Sequence, residues 1–304
     1  MANSVPAHHS ATQRFEVTHE TVYDYAYPAT LSQQRLHLTP RDFDFQRCEA
    51  HRIDISPTPD ETHQAIDYFG NFSQYLALTQ PHQSLTVVAR STIELLQRPC
   101  ESLIAHSVPW ETLRDDLRSV GDPTRLEPIK YLYESPHVAL SEGLVHYARA
   151  SFTPHATVLA AAFDLTVRIH REFTFDANAT DISTPLSELL SLKRGVCQDF
   201  AHFMIGCLRS IGVPCRYMSG YILTHPSPGK PRLIGADASH AWVSVYCPSI
   251  GWVDFDPTNR CMVNLEHITL GWGRDFSDVT LLQGVMLGGG EQTLKVSVTV
   301  MPLA

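Results

Sequence analysis

Three residue types that together can perform acyl transfer stand apart in this chain: Cys197 in RGVCQDFAHFM, His240 in SHAWVSVYC and Asp256 in GWVDFDPT. A thiolate, not a thiol, attacks a carbonyl carbon, and the unpaired amides at a helix start stabilise it. The pattern places Cys197 where a short loop turns into a helix. Taken alone, such a cysteine has three readings: a small buried apolar residue, a metal ligand or a nucleophile. Cys207, on the apolar stripe of the same helix, reads as a core residue.

The histidine and the acid narrow the choice. SHAWVSVYCPSIGWVDFDPT reads as a β-hairpin connected by CPSIG. With Val245 opposite Gly251, Val243 faces Val253 and Ala241 faces Phe255 on one apolar side. The other side then carries Trp242 opposite Asp254 and His240 opposite Asp256. Paired side chains stand about 5 Å apart at Cβ, close enough for a carboxylate to orient an imidazole. A slip of two residues keeps both on one side, whereas a slip of one spoils the apolar match. Each residue also has a plainer reading, His240 as a backbone-bonded strand histidine and Asp256 as a turn former before Pro257.

The elements around these residues divide the chain. Residues 1–13 read as a flexible tail. Residues 14–100 read as short strands with turn chemistry between them, a β-sandwich domain in which Leu85, Val87, Ala89, Ile93 and Leu95 alternate onto one buried face. Residues 101–304 read as an α+β catalytic domain, helices first and strands after. PWETLRDDLRSV and PHATVLAAAFDLTVRIHREF are helices. STPLSELLSLKRG is a third, with Ser183 or Thr184 as cap, Pro185 at its first position and Gly195 at its end. The next runs from Cys197, with Phe200, Phe203, Met204, Cys207, Leu208 and Ile211 as one stripe. Leu294, Val296, Val298 and Val300 alternate in a closing strand.

Composition sets exclusions. Twenty-three basic and 32 acidic residues give a formal charge of −9, with no basic cluster, so neither nucleic acid nor a membrane surface is expected as partner. No apolar run is long enough to span a bilayer and no secretory leader is evident. Seven scattered cysteines argue against a disulfide framework and for a cytoplasmic setting. Cys197, His202, Cys207, Cys215, His225 and His240 are soft ligands in one region, but they lack zinc-site spacing. DANATD at 176–181 offers oxygen ligands without the loop glycine of a calcium site. No metal and no cofactor is expected, and nothing in the sequence sets an oligomeric state.

The motifs resemble the bacterial transglutaminase-like family, a branch of the papain-like cysteine enzymes. RGVCQDFAHFM, LRSIGVPCRYMSGY, HAWVSVY and GWVDFDPTN carry the likeness, and YPATLSQQRLHLTPR, DYFGNFSQYLAL and ITLGWGRDFSDVTLLQGVMLGGG extend it over nearly the whole chain. The resemblance implies a papain-like transglutaminase core behind an N-terminal β-sandwich. It also implies Cys197 as nucleophile, His240 as base and Asp256 as third member of the triad. The expected reaction is attack on a peptide or protein amide through a thioester, resolved by water or an amine. The alternative is a catalytically silent protein-interaction module that kept the fold. Around the triad, the Cys197 N–H and the Gln198 side chain are candidate oxyanion donors. Trp242 and Trp252 are candidate walls of an acyl groove, or else cross-strand packing. Arg274 and Asp275 are candidate cleft residues, or else an internal ion pair.

Overall fold

The computed structural model describes residues 11–98, 100–104, 106–118, 126–225, 235, 239–248 and 250–303. Period-two sequence at the N-terminus forms β1 (Thr12–Leu36), β2 (Gln46–Ser56), β3 (Glu61–Ile66), β4 (Phe72–Leu78) and β5 (His82–Leu96). The alternation in β5 is realised: Leu85, Val87, Ala89, Ile93 and Leu95 are all buried. Thr12 and Gln13 pair with Leu96 and Leu95, so the first strand begins inside the stretch read as a tail, whose residues 1–10 lie outside the described ones. β1 is long enough to serve two halves of a sheet. Thr12–Asp24 pairs with β5 and Ser32–Leu36 with β4, with a register break between Asp24 and Ala29. Tyr25, Ala29, Leu36, Leu76, Leu78 and Leu85 bury together in one core.

Helical spacing then gives α1 (Cys100–Ile104), α2 (Trp110–Arg118), α3 (Leu126–Ile129), α4 (Glu142–Arg149) and α5 (Val158–Glu172). The two-residue strands β6 (Thr174–Phe175) and β7 (Arg194–Gly195) pair in parallel and bracket α6 (Leu186–Leu192). Pro185 is the N-cap of α6 rather than its first helical residue, and Lys193, at φ 50°, ends it in the left-handed region before Gly195 is reached. α7 (Cys197–Ser210) follows. The expected single apolar stripe is exceeded, because every residue from Asp199 to Arg209 is buried. The reason is position. α4, α5 and α6 cover one side of α7, and strands cover the other.

Those strands are β8 (Cys215–Ile222), β9 (Ser239–Cys247), β10 (Gly251–Asp256), β11 (Cys261–Met262) and β12 (His267–Gly273). They form an antiparallel sheet in the order β11-β10-β9-β8-β12. The chain then returns to its beginning. β13 (Leu282–Gly288) and β14 (Gln292–Leu303) pair with the second and first halves of β1 respectively. The N-terminal strands and the last two thus make one seven-stranded sheet through β1, not two separately paired sheets, and residues 282–303 leave the α+β unit to which the sequence reading assigned them. Alternation marks a segment as a strand without naming its partner. In β14, Val298 and Val300 are buried while Leu294 and Val296 are about half exposed, at 53% and 51%.

Candidate active site

Cys197 is the first residue of α7 and is half-buried. Val196, the N-cap, has no side-chain acceptor, so Asp199 caps the helix instead by accepting the Val196 N–H at 2.8 Å. Thr180 Oγ1 donates to the same Asp199 oxygen at 2.7 Å. The acid that follows the cysteine is therefore spent on the helix start. A Cβ on Gly195 would stand 2.6 Å from that carboxylate oxygen, so glycine is what lets the cap close.

His240 is the second residue of β9 and Asp256 ends β10. The observed register pairs Val245 with Val253 and Val243 with Phe255, two residues away from the expected one. His240 and Asp256 remain on one side, and Nε2 of the imidazole lies 2.7 Å from Asp256 Oδ2. Cys197 faces His240 closely enough to raise the imidazole. With Nε2 given to the carboxylate, Nδ1 is the nitrogen left for sulfur. The structure brings Cys197, His240 and Asp256 together, with His240 hydrogen-bonded to Asp256 and Cys197 beside the imidazole.

Asp256 is fully buried and its acceptors are filled. Oδ1 takes the backbone N–H groups of Thr258 at 2.8 Å and Asn259 at 3.1 Å. Oδ2 takes His240, the Asn259 amide at 2.7 Å and His267 Nε2 at 2.9 Å. Burial would raise this carboxyl, but the hydrogen bonds from His240 and His267 hold it far below the usual carboxylate range. Burial would likewise lower His240. The hydrogen bond to Asp256, the neighbouring Cys197 and the charges of both outweigh that and lift it to about 10. A ring raised that far is an imidazolium at neutral pH, with the Asp256 carboxylate as its acceptor. Sequence reasoning missed Asn259 and His267. Asn259 follows Asp256 by three residues, a local signal for a shared turn. His267 begins an ordinary strand and carries none.

The outer candidates divide. Gln198 is half-buried beside Cys197. Trp242 does not wall a groove: it is fully buried, its ring lies 6.1 Å from that of His240, and its Nε1–H donates to Asp254 at 3.1 Å. Trp252 stands edge-on to Tyr131 and donates to Glu127 at 3.2 Å, away from the triad. Arg274 pairs with Asp278 through two hydrogen bonds of 2.9 Å and lines a cavity of about 610 Å³ that includes no triad member. Asp275 is not its ion partner. It is buried and caps a short turn, accepting from Ser277 N at 2.9 Å and His137 N at 2.8 Å.

The six soft ligands do not converge. Cys207 and Cys215 are buried, His202 accepts the Phe276 N–H at 3.1 Å, and His225 pairs with Glu266 at 2.7 Å. In the 176–181 loop, Asp181 is occupied by Ser183 and Asp176 by the Asn178 N–H. Among the described residues one group could approach a cation, His240, Asp256 and His267. Its atoms stand 2.7 and 2.9 Å apart. Two ligands on a tetrahedral zinc would stand roughly 3.3 Å apart. The spacing is that of hydrogen bonds.

Comparison with known proteins gives the family. A model of the bacterial transglutaminase-like N-terminal region matches residues 15–94, and one of the transglutaminase-like superfamily matches residues 146–257, a span that contains Cys197, His240 and Asp256. An uncharacterised protein of Mycobacterium tuberculosis is 39% identical over 300 residues, 96% of this chain and 94% of that one. The chain belongs to the transglutaminase-like superfamily. Its core is a transglutaminase-like one preceded by an N-terminal domain. A protein-glutamine gamma-glutamyltransferase of Pseudomonas aeruginosa is 32% identical over 136 residues, 42% of this chain and 20% of that protein. Among solved structures, a Cytophaga hutchinsonii protein provisionally assigned as a cysteine protease shares the fold. Its TM-score is 0.76 at 18% identity, with 97% of this chain and 92% of that one covered.

Proposed function

We propose that the chain is a cysteine enzyme acting on peptide or protein amides through a Cys197–His240–Asp256 triad. The observation that carries this reading is the placement of one imidazole between a buried carboxylate and the thiol at a helix start. A Cys197 thiolate attacks the amide carbonyl carbon, and the Cys197 N–H faces the developing oxyanion. The His240 imidazolium then gives its proton to the leaving amine as the C–N bond breaks, leaving a thioester. Neutral His240 next takes a proton from the incoming amine or water, and that nucleophile displaces the thiolate.

The two acceptors give different enzymes, a transferase or a hydrolase, with the same triad. The likeness to a glutamyltransferase supports an amine acceptor, and the fold shared with the Cytophaga hutchinsonii protein supports a hydrolytic relative. The test is mass spectrometry of Cys197 after incubation with cell-extract peptides, with and without a primary amine. A thioester on Cys197 that the amine discharges supports transfer, and one that water discharges supports hydrolysis. Amide turnover that persists in Cys197→Ala overturns the mechanism.

A further inference from the structure

His267 is a buried histidine to which the mechanism above gives no part. It opens β12, on the opposite side of the sheet order from β10, yet its Nε2 reaches Asp256 Oδ2 at 2.9 Å. The oxygen it reaches is the one that holds His240. Because Asp256 is ionised, Nε2 of His267 carries the proton and donates it. The other ring nitrogen, Nδ1, is buried with no hydrogen-bond partner. A leucine would fill the same space and leave no orphaned nitrogen. Packing alone therefore does not account for a histidine here, and what the ring supplies is its one N–H to Asp256.

We propose that His267 is a positioning residue: it shares Asp256 Oδ2 with His240 and thereby limits how tightly the carboxylate holds the imidazolium. The inference rests on the triad reading. A carboxylate oxygen that accepts several donors has less charge to offer each one. Burial lowers the proton affinity of His267 itself, so its ring stays neutral while that of His240 is charged. Two identical side chains on one carboxylate thus hold different protonation states. The difference has a use: His240 must release its proton to the leaving amine, and an acid held too strongly is a poor donor.

Among the described residues, few charged and titratable groups face this cluster. Cys197 approaches His240 from α7, Asp256 comes from β10, and Arg98, just beyond β5, acts on His267. Arg98 is itself paired with Asp254 at 2.7 Å. None of these is altered by changing residue 267.

The experiment is the rate of Cys197 alkylation by iodoacetate against pH, read by mass spectrometry. The reagent is an anion, so its rate falls as the His240 imidazolium loses its charge. In His267→Leu the falling limb should move to higher pH by roughly half a unit or more, as expected when one donor to a shared carboxylate is lost. His267→Gln, whose amide can stand near the position of Nε2, should keep the wild-type profile. His267→Asn, with an amide too short to reach, replaces the leucine variant if that one does not fold. An unmoved limb in His267→Leu and His267→Asn overturns the inference alone. A wild-type profile with no falling limb, or one unchanged by His240→Ala, overturns the triad reading and this inference with it.

Discussion

Asp256 Oδ2 lies 2.7 Å from His240 Nε2 although the two residues are not opposite each other in their strand pair. The register carries Asp256 past the Phe255–Val243 pair, across from Trp242, so the contact to His240 is a diagonal one. Diagonal neighbours are about 7–8 Å apart at Cα, within reach of a ring. The carboxylate is held for this reach by the Thr258 and Asn259 N–H groups at its other oxygen. Replacing Asp256 with Asn keeps the shape and removes the charge. Turnover should fall by about a hundredfold or more, with binding of substrate little changed. Steady-state kinetics of the folded variant checks this, and a kcat near that of the wild type would contradict the role given to Asp256.

His240→Ala should slow alkylation of Cys197 near neutral pH by at least about tenfold, because the thiolate loses its ion partner. Cys207 and Cys215 supply an internal control. Burial pushes the first well up and the second to about 12, so neither should react in either protein. Equal rates at Cys197 in the two proteins would count against the pair.

Stability should peak near pH 6.5 and fall on both sides. His240 is raised to about 10 from an ordinary 6.5, so its contribution is complete below 6.5 and is lost as pH rises through 10. Burial lowers His202 to about 3 and His19 to about 4, and these rings are neutral in the fold. The unfolded chain binds their protons first, so stability is lost as pH drops below 6.5. Asp256, held far down, adds to the acid loss below its ordinary 3.8. Thermal melts across pH 4–10 check the shape, and a Tm still rising at pH 9 would contradict it.

How much of this was legible beforehand follows from the range of each signal. The cysteine at a helix start, the His–Asp face and the alternation of β5 are local patterns, and all three are present in the structure. The hairpin register differs by two because a slip of two leaves every side chain on its own face. The pairing of β13 and β14 with β1 joins residues about 250 to 290 positions apart, Val17 with Val300 among them, and no local pattern encodes that. Trp242 could be placed beside His240 from its position in the strand. That it lies beneath the triad, and not along a groove, depends on Tyr131, Met218, Val263 and Trp272 closing over it.

Chelation should leave the enzyme fully active. Among the described residues, the atoms that could approach a cation are His240 Nε2, Asp256 Oδ2 and His267 Nε2, and they are committed to one another at hydrogen-bond spacing. Loss of activity in EDTA that zinc restores would revive a metal role for this cluster.

Gly220 joins the fold to the site most directly. It pairs with His240 between β8 and β9, and a Cβ there would overlap the Ile268 carbonyl oxygen and stand 2.7 Å from the Trp242 ring. A backbone oxygen cannot turn aside as a side chain does, so β12 must shift away from β8. His267, the neighbour of Ile268, moves with it, and the Trp242 ring beside His240 is pushed at the same time. Gly220→Ala should therefore cost about 2–4 kcal/mol, at or above the usual range for overpacking. Its residual activity should fall further than its folded fraction. Urea unfolding gives the first quantity, and active-site titration with an alkylating agent gives the second. A variant as stable and as reactive as the wild type would mean that β8 and β12 do not approach as closely as the pairing of Gly220 requires.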